Sequence, residues 1–289
     1  MTKASLSFRI KTISELGKVR ISLPIAISAL TGYVLKTNLF DWQAWLMMVG
    51  VFLMSCSSGA INHLQEYKTD ALMPRTKNRP IPSGRISPKG SLWVAFSFFI
   101  GGASILITSF PLIVFIISFL TLLAYNAIYT PLKKVTAFAV VPGSLVGALP
   151  PYIGWFAGGG DWMNGNIFWV ALFFFIGQIP HFWLLLLMFG KEYELAGFPS
   201  LHSIFNDNQI KRLSFTWILA TIATAIVVSL EVLHGSILLF FLLIYIFYVL
   251  FSLSASMLIK HDIKPRPAFF KLNFLYLLMM IILIADSLF

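Results

Sequence analysis

The sequence predicts an all-α polytopic membrane protein of nine transmembrane helices, folded as one domain over residues 1–289, and three observations predict it. A mean hydropathy of +0.85, with 58% hydrophobic and only 11% charged residues, excludes an ordinary soluble domain. Apolar runs long enough to cross about 30 Å of hydrocarbon recur along the whole chain. Basic residues alternate with those runs so that twenty of the 21 fall on one side if the N-terminus is cytoplasmic. The net charge of +10 is therefore mainly topological, and with no soluble basic domain to carry it a nucleic-acid partner is excluded.

Taken in order, residues 1–20 place Leu6, Ile10 and Ile13 at helical spacing among Lys3, Arg9, Lys11, Lys18 and Arg20. That is the pattern of a cytoplasmic, basic, interfacial helix. The acid-poor start also weakly resembles a transit peptide. A chain with little length beyond its spans favours a bacterial plasma membrane. The first span centres near Ile27 and ends in a short outer link, with Lys36 the one basic residue facing out. The second centres near Val51 and opens into a long inner link, residues 62–91. The third (Ser97) and fourth (Phe119) meet at an outer link, and Lys133 and Lys134 separate the fourth from the fifth (Leu145). Polar or Gly/Pro positions interrupt the fourth and fifth spans. A Gly-rich outer link leads to the sixth (Phe174), and a second long inner link, residues 190–213, to the seventh (Thr221). The eighth (Ile244) and ninth (Leu277) flank a basic inner link, which leaves the C-terminus outside. Cys56, inside an apolar span, is a small packing residue with no metal-ligand spacing.

The inner links carry most of the ionisable groups, so the chemistry belongs to the cytoplasmic face. Asn62, Glu66 and Asp70 lie four residues apart where the second span runs out. If the helix continues past Ile61, each step turns only about 40° beyond a full circle, and the amide and both carboxylates share one face. Arg75 and Arg79 repeat the four-residue step and offer two guanidinium forks. Carboxylates with basic groups just beyond them suit a hard divalent cation that is itself holding a diphosphate. Against this stands a merely solvated, positive-inside loop with incidental acids.

A weak twofold pattern repeats the arrangement in Gly190-Lys191-Glu192-Tyr193-Glu194, where Glu192 is a second carboxylate for a multi-metal diphosphate site or else an ordinary loop charge. Lys133 and Lys134 either neutralise a departing diphosphate or only anchor topology. His181 is either a helix-packing histidine or, as an ionisable group in an apolar span, part of a functional site. His63 diverges by about 100° from Asn62 around the helix and ranks lower. His202, His234 and His261 read as loop residues.

Asn62-x3-Glu66-x3-Asp70 followed by Arg75-Thr76-x2-Arg79-Pro80 resembles the first acidic motif of the UbiA-type intramembrane prenyltransferases. Residues 73–87, 129–136, 147–155, 178–182 and 192–199 resemble the protoheme IX farnesyltransferase (haem O synthase) branch of that family, and Lys18-x-Arg20 fits it too. The resemblance runs from about residue 18 to 200. The chain departs from the pattern with Glu66 and Glu192 where the family usually has Asp, with Ala139 for an Asn, Lys134 for an Arg, and Ser200 for a Met.

The resemblance implies a UbiA-type bundle around one central cavity and a Mg²⁺-dependent transfer of farnesyl from farnesyl diphosphate to a vinyl group of haem B. It assigns catalysis to Asn62, Glu66, Asp70 and Lys133. Metal binding falls to Glu66, Asp70 and Glu192, diphosphate binding to Arg75, Arg79, Lys133 and Lys134, and haem contact to His181 and Arg20. It further implies hand-over of haem O to a haem A synthase or a terminal oxidase. An aromatic or quinone-precursor acceptor is the alternative. A transporter would need ionisable residues near mid-bilayer, whereas those here gather at one face.

Overall fold

The computed structural model describes residues 6–259 and 262–289, with the side chains of all of these but Ser203 and Ser236; Lys3, Lys260 and His261 lie outside them. The described residues form helices and turns and contain no strand. A short helix α1 (Leu6–Leu16) precedes nine helices long and apolar enough to cross a membrane. These are α2 (Val19–Thr37), α3 (Trp42–Asp70), α4 (Pro88–Ser109), α5 (Leu112–Leu132), α6 (Ala137–Ala157), α7 (Gly165–Leu195), α8 (Asp207–Val232), α9 (Ser236–Leu258) and α10 (Pro265–Leu288). Each of the nine centres read from hydropathy falls inside a different one.

Local chemistry sets the starts. Asp41 caps α3 by accepting from Ala44 N (3.0 Å), and Ser87 caps α4 ahead of Pro88. Asn206 and Gln209 form a reciprocal capping box on α8. The two interrupted spans are interrupted in the structure as well. In α5 the segment Ala124–Tyr129 is a π-turn, and α6 begins as a 3₁₀ turn and pauses at Ser144 before Leu145–Ala157. A π-turn inside a helix often marks a functional position.

The inner links are shorter than their composition predicts. α3 runs on to Asp70 and α7 to Leu195, so the acids of both links stand on helix rather than in loop. On α3 the reason is that no Gly or Pro occurs between Ile61 and Pro74, and the acids that leave the hydrocarbon there find cationic partners.

α2 packs on α3, α6 and α10; α3 packs on α4, and α6 on α5 and α7; α7 to α10 pack in succession, with α10 returning to α7. The α2–α6 crossing is set by two glycines. A Cβ at Gly32 would lie 1.8 Å from the Pro151 carbonyl oxygen, and one at Gly154 1.7 Å from that of Ala29. Small residues at such points let backbones touch, which is how helices associate in a solvent that offers no hydrophobic drive between them. One apolar core, around Met47, Leu106 and Ile153, lies among α2–α6. A second, around Phe173, Ile222 and Met279, lies among α7–α10. Phe240, Phe247, Phe251 and Phe274 face outward, as lipid-contacting side chains do.

Candidate active site

The last turns of α3 carry the groups of interest. Asn62 (1%), Glu66 (4%) and Asp70 (0%) are buried on one face, one turn apart. Buried polar and charged groups demand partners, and each of the three, one amide and two carboxylates, meets a different cation from a different element. The Lys18 ammonium, from the α1–α2 turn, donates to Asn62 Oδ1. Lys133, just past the end of α5, forms an ion pair with Glu66. Arg79, in the link after α3, places Nη1 2.8 Å from both Asp70 oxygens. The link is held to the helix end by Thr76 Oγ1, which donates to the Asp70 carbonyl (2.9 Å).

The π-turn of α5 supplies the wall. Asn62 Nδ2 donates to Thr130 Oγ1 (3.0 Å), and the Tyr125 hydroxyl lies 3.4 Å from Lys18 Nζ. Asn126 is locked between Ser58 (2.7 Å) and Gln65 (3.2 Å) of α3. Lys133 sits between the rings of Tyr129 and Phe198, 5.6 Å from each centroid, and Phe182 of α7 packs on Tyr129 at 5.5 Å.

The two acidic segments come together. Glu192 Oε2 accepts from the backbone N–H of Arg75 (3.1 Å), while Met73, Tyr193, Ala196 and Phe198 form a small apolar cluster between the two links. Glu194 is exposed. Among the described residues no three His, Cys, Asp or Glu side chains converge tightly enough to hold a metal by themselves. Glu66 and Asp70 are successive carboxylates on the buried face of α3, and Glu192 reaches the link that follows it through the Arg75 backbone N–H.

The remaining candidates scatter. The exposed Arg75 lays its guanidinium 5.0 Å from the Phe189 ring rather than on the acidic face. Lys134 donates to the Gln65 carbonyl (3.2 Å). Arg20 is exposed on the first turn of α2. His181 lies between α7 and α10, 4.6 Å from the Phe269 ring, with Nδ1 buried and without a hydrogen-bond partner. Two cavities, of 460 Å³ beside Asn38, Asn166 and Asp286 and of 260 Å³ beside Asn208, Lys211 and Met257, are lined by none of these residues.

Lys18 is legible only as part of the Lys18-x-Arg20 motif, which assigns a site role to Arg20 and none to Lys18. It stands two positions before Arg20, and only the reversal between α1 and α2 turns it inward. The residue as a whole is half-buried, but its ammonium end is enclosed: burial pushes the ammonium down to about 7, with Arg79 adding to the shift and Glu66 opposing it. A lysine next to a left-handed turn carries no periodic signal that a sequence pattern could expose.

Comparison with known proteins agrees with this geometry. The profile of the UbiA prenyltransferase family matches residues 25–278. A protoheme IX farnesyltransferase of Oleidesulfovibrio alaskensis is 33% identical over 190 residues, covering 66% of this chain and 67% of the relative. One of Cytophaga hutchinsonii is 37% identical over 191 residues, covering 65% and 66%. The chain thus matches about two thirds of the length of these relatives. Among solved structures, a UbiA homologue from Archaeoglobus fulgidus bound to DMAPP and Mg²⁺ superposes with a TM-score of 0.71 at 15% identity, covering 96% of this chain and 99% of its own. A UbiA homologue from Aeropyrum pernix K1 gives 0.72 at 17% identity, covering 93% and 98%. The fold, the acidic face of α3 and the profile match together place this chain in the UbiA prenyltransferase family.

Proposed function

We propose that the chain transfers a farnesyl group from farnesyl diphosphate to a vinyl group of haem B, making haem O. One observation carries the reading: three groups one turn apart on the buried face of α3 each meet a separate cation, an arrangement that matches an anionic ligand held through a divalent metal. The names of the relatives support the choice of substrates.

The donor set fits Mg²⁺. Glu66 and Asp70 offer hard carboxylate oxygens one turn apart, and Mg²⁺ takes one or two carboxylates while keeping water and substrate phosphate oxygens. Glu66 and Asp70 are the residues to hold it, with Glu192 serving a second ion. Bound there, Mg²⁺ supplies Lewis-acid charge to the diphosphate. Lys133 and Arg79 neutralise the negative charge that grows on the leaving diphosphate, with Arg75 and Lys134 at the rim. The C1–O bond breaks with its electron pair on the diphosphate. Asn62, fixed by Lys18 and Thr130, orients the acidic face. Tyr129, Phe182 and Phe198 keep water from the allylic cation until the vinyl carbon attacks it; water then adds to the resulting cation and a proton is lost. His181, with its free Nδ1, is the contact for the porphyrin, and Arg20 a contact for its propionates.

The same reading places the protein in a bacterial plasma membrane, with the acidic end of α3 and the N-terminus in the cytoplasm, the C-terminus outside, and haem O passed to a haem A synthase or a terminal oxidase. Mass analysis of pigments from membranes expressing the protein is the test. Haem O should accumulate, and EDTA should abolish it. Prenylation of a phenolic ring with haem B left untouched would replace the acceptor.

A further inference from the structure

Pro180 falls in the middle of α7, where it has no N–H to offer the Ile176 carbonyl, and the helical ladder loses a rung. The next carbonyl, that of Gly177, is held from another helix: the Tyr276 hydroxyl of α10 donates to it at 2.6 Å. Inside a spanning segment a weakened ladder is made good by neighbouring helices, since the hydrocarbon holds no water to do it. Gly177 is buried, and a Cβ on it would lie 2.7 Å from Tyr276 Oη. The missing side chain is what admits the phenol.

Phe173, Gly177 and His181 follow one another at four-residue steps and so share one face of α7. The Tyr276 ring straddles that face, 5.6 Å from the Phe173 ring and 6.5 Å from the His181 ring, with the notch at Gly177 between them. Phe269, two turns before Tyr276 on α10, closes on the His181 ring at 4.6 Å. The tie from α10 therefore falls one turn before His181, on the same face, where the ladder is weakest. His181 Nδ1 is buried without a partner. No hydrogen bond at that nitrogen fixes the imidazole, so its direction follows from the backbone that carries it and the rings beside it.

We propose that Tyr276 is a positioning residue: by holding the Gly177 carbonyl at the weakened turn before His181, its hydroxyl fixes the direction in which α7 presents the imidazole to the acceptor. The last step of this statement rests on the haem reading; the hold on α7 does not.

Two measurements on the detergent-solubilised full chain separate them. Amide hydrogen exchange over residues 177–185, read by mass spectrometry, tests the hold with no substrate present. Tyr276→Phe removes one hydroxyl and keeps the ring. It should quicken exchange there by about fivefold, the scale of one hydrogen bond, while residues 165–173 stay as in the wild type. Pro180→Ala returns the missing N–H, and in that background Tyr276→Phe should add little; an undiminished effect overturns the link to the helix break. Gly177→Ala, which pushes the phenol away, should act like Tyr276→Phe and serves if that variant folds poorly. Unchanged exchange in both Tyr276→Phe and Gly177→Ala overturns the proposal. Optical titration with haem B, beside binding of farnesyl thiodiphosphate with Mg²⁺, reads the function. Tyr276→Phe should weaken haem B binding by about fivefold and leave analogue binding within about twofold of wild type. Equal losses in both would make Tyr276 a general tie between helices and overturn its role toward the acceptor. In a His181→Ala background Tyr276→Phe should cause no further loss of haem B binding; additive losses overturn the coupling. If the wild type binds the analogue but not haem B, the acceptor reading falls, and the exchange experiment still decides whether Tyr276 holds α7.

Discussion

α3 and α7 leave the membrane in similar ways, each as a long apolar helix whose last turns carry acids, yet the two ends do different work. On α3, Glu66 and Asp70 are almost wholly enclosed and paired with Lys133 and Arg79. On α7, Glu192 is half-buried and accepts from a backbone N–H, and Glu194 is exposed. A buried carboxylate is costly unless fully compensated, whereas a partly solvated one is cheap to keep and weakly coupled to its neighbours. The comparison teaches that burial with a dedicated cation, rather than acid content, separates the central acids from those that serve them.

The largest expected effect contrasts carboxylates at the two ends. Asp70→Asn and Glu66→Gln should each cut prenyl transfer by about 100-fold or more, while Glu192→Gln, which still accepts from Arg75, should cost about tenfold and be partly relieved by raising Mg²⁺. Equal losses at all three positions, read as kcat/KM against Mg²⁺ concentration, would erase the distinction.

Stability gives the next contrast. Lys133→Met leaves the 5% exposed Glu66 side chain without its cation and should lower unfolding free energy by about 3 kcal/mol. Lys134→Met, which loses one exposed contact to a backbone carbonyl, should change it by less than about 0.5 kcal/mol. Denaturant unfolding in micelles distinguishes the two.

The arginines sharpen it further. Arg79→Lys keeps charge but loses the guanidinium that sets Nη1 between both Asp70 oxygens, and about a tenfold drop in kcat/KM is expected, roughly 1.4 kcal/mol. Arg75→Lys should be near wild type, because the Glu192 contact uses the backbone N–H. Matching losses in both would return Arg75 to the diphosphate site.

The smallest effect concerns α1. A hydrogen-bonded ion pair with Arg85 holds the Glu15 carboxyl below the usual carboxylate range. A depressed carboxylate stabilises the fold above its unfolded pKa and loses that contribution as pH falls through the lowered value. With Glu15 39% exposed the term is at most about 0.5 kcal/mol. Amide exchange in α1, corrected for intrinsic rates, should quicken slightly on acidification in wild type and not in Arg85→Met.

Much of this was legible beforehand because bilayers impose simple rules. Each long apolar run became a helix, since a spanning backbone must satisfy its own hydrogen bonds. The π-turn of α5 and the pause at Ser144 fell where polar and Gly/Pro positions had broken the pattern. The register Asn62, Glu66, Asp70 held because helical geometry is local. The partners of those residues were not local. Arg75 and Arg79 share a spacing, yet one turns to Phe189 and the other to Asp70, because the link between them is irregular and no period governs it. Arg20 and Lys18 share a motif, yet a single left-handed residue sends one outward and the other in.

The sequence alone determined nine spans and the stacking of an amide and two carboxylates, because hydropathy and the helical repeat both act over short stretches of chain. Only the tertiary structure decided which cation meets which acid. That choice depends on side chains 9 to 67 residues apart, Asp70 to Arg79 and Glu66 to Lys133, being enclosed together, where low dielectric makes each pairing strong and each omission costly.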